Sequence, residues 1–278
     1  METQERQNLA DKQRIVIKIG SSSLTHAQTG EVNLMKIEKL VRVISDLRGQ
    51  GKDVVLVSSG AIGIGTKKLR LGERPTELRM KQAAAAVGQC RMMHIYDKLF
   101  AEYNRTVAQI LLTGEDVESP VRSEHLHNTF EALLELGVIP VVNENDSVSS
   151  AEIETGQCKV LGDNDTLSAI VARLCGAGLL VLFSDIDGLY DADPRTHPGA
   201  RLIHQVEAIT PELRAMAGGA GTWRGTGGMA TKLNAAQLCL EAGVDMVIAN
   251  GARMEALYDI VEGKNVGTRF SARRGALQ

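Results

Sequence analysis

Aromatic residues make up only 3% of the 278-residue chain, with one tryptophan, four tyrosines and four phenylalanines. Its core must therefore be aliphatic, and a hydrophobic fraction of 44% supplies ample Val, Ile, Leu and Ala for one. No apolar run approaches the roughly 18 residues that cross a bilayer, so no membrane partner is expected. A strong charge of either sign is also missing: the net charge is −3. A nucleic-acid groove needs a basic face, and this balance argues against one. The opening "METQERQNLADKQR" is polar and mixed in charge, unlike a secretion signal.

Cysteine pairs are absent too. Cys90, Cys158, Cys175 and Cys239 lie far apart with no C-x-x-C spacing, the usage of reduced thiols in a cytoplasmic protein. The six histidines include no H-E-x-x-H, and His125 and His127 would point to different sides of a helix. No structural metal site is expected. There is no fixed-period repeat and no low-complexity linker.

What is present is an alternation of short apolar runs with longer amphipathic stretches, which predicts a largely parallel sheet covered by helices. Strands are expected at "RIVIKIG", "DVVLVSSG", "TVAQILLT", "GVIPVVNEND", "GLLVLFSD" and "VDMVIANG". Helices are expected at "NLMKIEKLVRVISDLRGQG", with Asn33 as N-cap and Gly51 beyond its end, and at "PTELRMKQAAAAVGQCRMMHIYDKLFAEY". Others are expected from Ser123 to Leu136, at "NDTLSAIVARLCGA" and at "MATKLNAAQLCLEAG". The alanine run of the second helix allows close helix packing, read here as core. "SVSSAEIETGQCKVLGDND" predicts a small hairpin or lid, and "IDGLYDADPRTHPGARLI" a loop rich in turn signals. The regions before and after about Gly162 read as two lobes sharing one sheet.

Ligands of open α/β sheets bind outside the carboxyl ends of strands. Those ends here carry Gly20-Ser21-Ser22-Ser23, Ser58-Ser59-Gly60, Asn143-Glu144-Asn145-Asp146 and Ser184-Asp185. Any one cluster could be a cap or a turn. Lys18 is different, because it stands inside an apolar strand and a buried lysine requires an anionic partner. Asp163-Asn164-Asp165 precede a helix where one cap would suffice, so at least one of them should point elsewhere. "GTGGMATK" offers glycines and Lys232 at a helix start. It lacks the Walker A order, and no strand precedes it as the dinucleotide fingerprint demands. Two lysines, glycine loops and helix N-termini together suit phosphoryl transfer, which needs charge neutralised and two oxygens held in line.

The segments "VIKIGSSSLT", "VVLVSSGAIGIG", "KQAAAAVGQ", "PVVNENDSVS", "GDNDTLSA", "SDIDGLYDADPR" and "GTGGMATKLNAA" span nearly the whole chain. On them the chain resembles the amino acid kinase family, most closely its branch that phosphorylates the side-chain carboxylate of L-glutamate. The resemblance implies a three-layer α/β/α sandwich with a mostly parallel sheet. It implies ATP as donor, with Mg²⁺ carried by the nucleotide, and L-glutamyl 5-phosphate, the first intermediate of proline biosynthesis, as product. By the same resemblance Lys18 and Lys232 contact the transferring phosphoryl and Asp165 holds both lysines. Gly20 and Ser21 donate to the phosphates, and Ser59, Gly60, Asp146 and Asn164 bind glutamate. Ser184 and Asp185, together with Thr226, Gly227, Gly228, Met229, Ala230, Thr231 and Lys232, bind the nucleotide.

The resemblance further implies proline as feedback inhibitor, a dimer or tetramer, and glutamyl phosphate reductase acting downstream. Many bacterial members continue into a domain like those of RNA-modifying enzymes. The expectation here is a single kinase domain over residues 1–278, with an acceptor lobe at about 12–162 and a nucleotide lobe at about 163–272. The stretch before "GDND" departs from the family, with Leu161 where an aromatic is common and an insertion ahead of it. A related carboxylate kinase for acetylglutamate or aspartate, or a catalytically silent sensing module, are the alternative readings.

Overall fold

The computed structural model describes residues 9–148, 161, 163–217 and 228–271. Its centre is an eight-stranded sheet in the order β3-β4-β2-β1-β5-β9-β10-β8. The six strands expected from the sequence are β1 (Arg14–Ile19), β2 (Asp53–Ser58), β3 (Val107–Leu112), β4 (Ile139–Glu144), β5 (Leu179–Ser184) and β9 (Asp245–Asn250). All pairings among them are parallel. The sequence reading missed β10 (Thr268–Phe270), which runs antiparallel to β9, and β8 (Gln205–Val206), which extends the sheet beyond it. The expected loop after β5 also contains a two-residue hairpin, β6 (Leu189–Tyr190) with β7 (Leu202–Ile203).

Alternation along β1 sorts the chain into three layers. Ile15, Ile17 and Ile19 pack with Val54, Leu56, Val181 and Phe183 against α2 (Leu34–Gly49), α4 (Leu78–Ala101) and α10 (Ala256–Val261). Val16 faces the opposite way, with Val55, Val57, Leu180 and Leu182, against α6 (Pro120–Glu135), α7 (Asn164–Leu174) and α9 (Met229–Glu241). The result is the expected α/β/α sandwich. Leu161 is buried in the second layer.

Short helices complete the set: α1 (Ser21–Leu24), α3 (Ala61–Lys68), α5 (Gly114–Glu118) and α8 (Pro211–Ala217). Asn33 caps α2 as expected, its side chain accepting from Lys36 N at 3.1 Å. The alanine-rich face of α4 meets α3 backbone to backbone. A Cβ built on Gly88 would lie 1.8 Å from Ala61 O, and one on Gly65 would lie 1.8 Å from Ala84 O. The small residues there are a condition of that crossing. Among the described residues no helix is long and apolar enough to cross a membrane.

Candidate active site

Lys18 is the next-to-last residue of β1 and shares the face of Val16, so its side chain enters the α7–α9 layer. It is 7% exposed, and its Nζ lies 2.5 Å from Asp165 Oδ1. Asp165, 1% exposed, stands in the first turn of α7. Its other oxygen, Oδ2, accepts from Lys232 Nζ at 3.0 Å, and Thr231 Oγ1 lies 2.9 Å from the same atom. Both threonine and lysine come from the first turn of α9, and Lys232 is itself 5% exposed. Burial pushes the Asp165 carboxyl up, but the two ammonium groups beside it outweigh burial and hold it below the usual carboxylate range. Two lysine side chains thus meet on one buried carboxylate.

The three polar residues before α7 divide their work. Asp163 is the cap, its Oδ1 accepting from Asp165 N at 2.8 Å and Thr166 N at 2.9 Å. Asn164 turns to β2 and β4, donating from Nδ2 to Ser59 Oγ at 2.7 Å and to Asn143 Oδ1 at 3.2 Å. Asp165 turns to the lysines. The surplus of caps noted in the sequence thus corresponds to three different partners.

Beyond β2 the chain turns sharply at Gly60, whose φ of 101° lies in the left-handed region that side chains avoid. The turn starts α3, whose first residues Ala61, Ile62 and Gly63 line a cavity of about 440 Å³ at the strand ends. Lys18, Gly20, Ser21, Ser59, Gly60, Asp146, Asn164, Asp165, Ser184, Asp185 and Lys232 line the same cavity. Eleven expected positions from four strand ends and two helix starts are therefore brought together. Gly228, Met229, Ala230 and Thr231 do not line it, although Thr231 reaches Asp165. Asp185 is largely exposed, and its Oδ2 accepts from Arg195 at 2.9 Å. Thr226, Gly227 and most of the expected hairpin before Asp163 lie outside the described residues. Among the described residues no three His, Cys, Asp or Glu side chains are grouped to hold a metal ion.

Several lining residues had no role in the sequence reading: Arg74, Asn143, Glu144 and Phe183. Asn143 was visible at a strand end, but nothing in its neighbourhood identified Asn164 as its partner. Gln89, buried in α4, donates nothing to the cavity directly; its Oε1 accepts from Asn143 Nδ2 at 3.0 Å. Arg74 stands in a polar loop that carries no distinguishing signal.

The sequence profile described as the Amino acid kinase family matches residues 13–250. The chain belongs to this family. A glutamate 5-kinase of Clostridium perfringens is 54% identical over 270 residues, covering 97% of this chain and 99% of the relative. Another from Listeria innocua is 49% identical over 269 residues, covering 97% and 96%. Among solved structures, carbamate kinase from Giardia lamblia bound to AMP-PNP aligns with a TM-score of 0.65 at 15% identity, over 95% of this chain and 99% of that one. UMP kinase from Ureaplasma parvum aligns with a TM-score of 0.63 at 18% identity, over 94% and 99%. At those identities the likeness is one of fold, and it agrees with the three-layer architecture found here.

Proposed function

We propose that this chain transfers the terminal phosphoryl group of ATP to the side-chain carboxylate of L-glutamate, giving L-glutamyl 5-phosphate and ADP. The observation that carries the reading is the buried Lys18–Asp165–Lys232 cluster, two ammonium groups meeting on one carboxylate, set in one cavity with Ser59, Asp146 and Asn164. Two ammonium groups fixed at one cavity wall suit a phosphoryl group in transfer, the anion a kinase family handles.

An acceptor carboxylate is already ionised near neutral pH, so the reaction needs no general base. Its oxygen forms a bond to the terminal phosphorus as the bond from that phosphorus to the bridging oxygen breaks, and the electron pair leaves with ADP. Charge accumulates on the oxygens around the phosphorus, where Lys18 and Lys232 neutralise it from two sides. Asp165 cannot serve as a base while it binds two ammonium groups; it fixes where they stand. Gly20 and Ser21, at the end of β1, offer donors to the phosphate chain. Mg²⁺ carried in by the nucleotide would supply further charge neutralisation.

On the acceptor side, Asp146 suits the substrate ammonium. The α-carboxylate falls to the N-terminus of α3, where free backbone N–H groups and about half a positive charge favour an anion. An N-acetylated substrate would bring no ammonium to Asp146 and Asn164, which favours free glutamate over acetylglutamate. An acceptor half built on β2 and β4 and a nucleotide half built on β5 and β9 belong to the same proposal. So do proline feedback, a dimer or tetramer, a cytoplasmic setting and a reductase downstream, which follow from the family resemblance in the sequence.

The test is ADP release with ATP, Mg²⁺ and a panel of glutamate, N-acetylglutamate and aspartate. No release above the acceptor-free control would refute the reading, and so would a preference for either of the other acceptors. Lys18→Ala and Lys232→Ala should each lower kcat by about a hundredfold or more with little change in glutamate KM, as expected of charges needed mainly in the transition state.

A further inference from the structure

We propose that Gln89 is a positioning residue that fixes which end of the Asn164 amide meets the acceptor, and thereby makes the site selective for a substrate carrying an ammonium group. The inference rests on the acceptor reading above. It starts from a row of side chains crossing from α4 to β2. Gln89 Oε1 accepts from Asn143 Nδ2 at 3.0 Å, Asn143 Oδ1 accepts from Asn164 Nδ2 at 3.2 Å, and Asn164 Nδ2 also donates to Ser59 Oγ at 2.7 Å. Every bond in the row has a direction.

A primary amide has two N–H donors and one carbonyl. Both donors of Asn164 are committed to Ser59 and Asn143, so only its Oδ1 remains for a ligand. An oxygen there accepts from an ammonium and offers nothing to a carboxylate. Reversal of Asn143 would place an NH₂ against the NH₂ of Asn164 and drive that amide to turn its donors into the cavity. Asn143 is held against reversal by the carbonyl of Gln89. Gln89 and Asn143 are 7% and 2% exposed, so water is a poor substitute for either partner.

Gln89 also lines a second cavity of about 400 Å³. Its Nε2 is buried and makes no hydrogen bond among the described residues, so the polar contact that holds this amide is the one from Asn143 to its Oε1.

The experiment compares glutamate with glutarate, the same dicarboxylate without the amine. The readouts are the KM for glutamate and the inhibition constant of glutarate against glutamate, with folding checked by thermal melting. Gln89→Leu removes the carbonyl and should raise the glutamate KM about tenfold, the factor that goes with losing one hydrogen bond to a charged group. The glutarate inhibition constant should move less than about twofold, so discrimination narrows by about five- to tenfold. Gln89→Glu keeps an oxygen facing Asn143 and should hold discrimination near the wild-type value. If Gln89→Leu does not fold, Gln89→Met carries the same expectation.

An unchanged glutamate KM in a folded Gln89→Leu protein overturns the inference. Equal weakening of glutamate and glutarate does so too, because a merely structural role predicts that pattern, and so does a Gln89→Glu protein that behaves like Gln89→Leu. Failure of the acceptor reading itself would look different: Asn164→Ala and Asp146→Ala would leave the glutamate KM untouched.

Discussion

Gly88→Ala should separate the acceptor half of the site from the phosphoryl half in a single measurement. The added Cβ would lie 1.8 Å from Ala61 O and 2.6 Å from Gly65 N, whereas ordinary contact begins at 3.4 Å. Relieving the first contact requires a shift of about 1.6 Å between α3 and α4, the difference of those two values. Neither atom it meets is the end of a flexible side chain, so the backbones themselves must move. Overpacking of this kind costs about 1–3 kcal/mol, and the upper end applies where backbone opposes backbone. Alanine's better helix propensity returns up to about 1 kcal/mol. A net loss of about 2 kcal/mol lowers the melting temperature by roughly 4–8 °C for a chain of this size.

The catalytic consequence is more specific than the stability loss. Ala61, Ile62 and Gly63 of α3 line the cavity, while Lys18, Asp165 and Lys232 stand on β1, α7 and α9. Displacement of α3 by more than 1 Å should therefore raise the glutamate KM by about 10- to 100-fold. The ATP KM should stay within about threefold, because no element of the lysine cluster is moved. Steady-state kinetics with each substrate varied in turn, alongside calorimetry, reads both. Gly63→Ala is a control for the melt alone: nothing lies within 4 Å of its Cβ, so it should not be destabilising. A Gly88→Ala protein with wild-type melting and glutamate KM would refute the reasoning, as would one in which both KM values rise together.

Asp165→Asn should leave two buried ammonium groups without their carboxylate and destabilise the free protein by about 3–5 kcal/mol. Because the Asp165 carboxyl is held below its ordinary 3.8, its contribution is complete above about pH 4 and is lost as pH falls through the depressed folded value. The stability gap between wild type and Asp165→Asn in urea should be constant from about pH 5 to 8 and should close in acid; a gap that closes towards pH 8 would contradict this. Burial pushes the thiols of Cys175 and Cys239 up to about 12, whereas Cys90 is exposed. Of these three, only Cys90 should be alkylated in the native protein near pH 8, as read by peptide mass mapping, and labelling of Cys175 at a similar rate would count against the packing described.

The parts of this fold legible in the sequence are those whose pattern is long enough to repeat. Six-residue aliphatic runs between turn signals identify β1 to β5 and β9 without ambiguity. Two- and three-residue strands such as β8 and β10 show no period; β10 exists because β9 offers it an edge, and β8 because β10 does in turn. The helix α3, "AIGIGTKK", was missed for a different reason: two glycines give it poor intrinsic propensity, and its stability comes from the backbone contact with α4. The site divides the same way. Lys18 was legible because a charge in an apolar strand demands a partner. Gln89 was not, since a polar residue after an alanine run looks like a solvated helix position until its bond to Asn143 is seen.

The deepest constraint lies in one turn of helix. Residues of an α-helix follow one another at about 100° around the axis. Asn164 and Asp165, the first two residues of α7, therefore diverge, one to Ser59 and Asn143 on the acceptor side and the other to Lys18 and Lys232 on the phosphoryl side, while Asp163, the extended cap before them, turns back to the backbone of α7. The reaction demands that the acceptor oxygen and the phosphorus be in line. Groups carried on separate loops could satisfy that demand only when both loops happened to agree. Here the acceptor-orienting amide and the lysine-orienting carboxylate are covalent neighbours, and the cap at Asp163 fixes the start of the helix that carries both. Movement of α7 would shift both halves of the site together, so alignment between them is preserved by the chain itself, and what remains adjustable is the approach of α3 from one side and of α9 from the other.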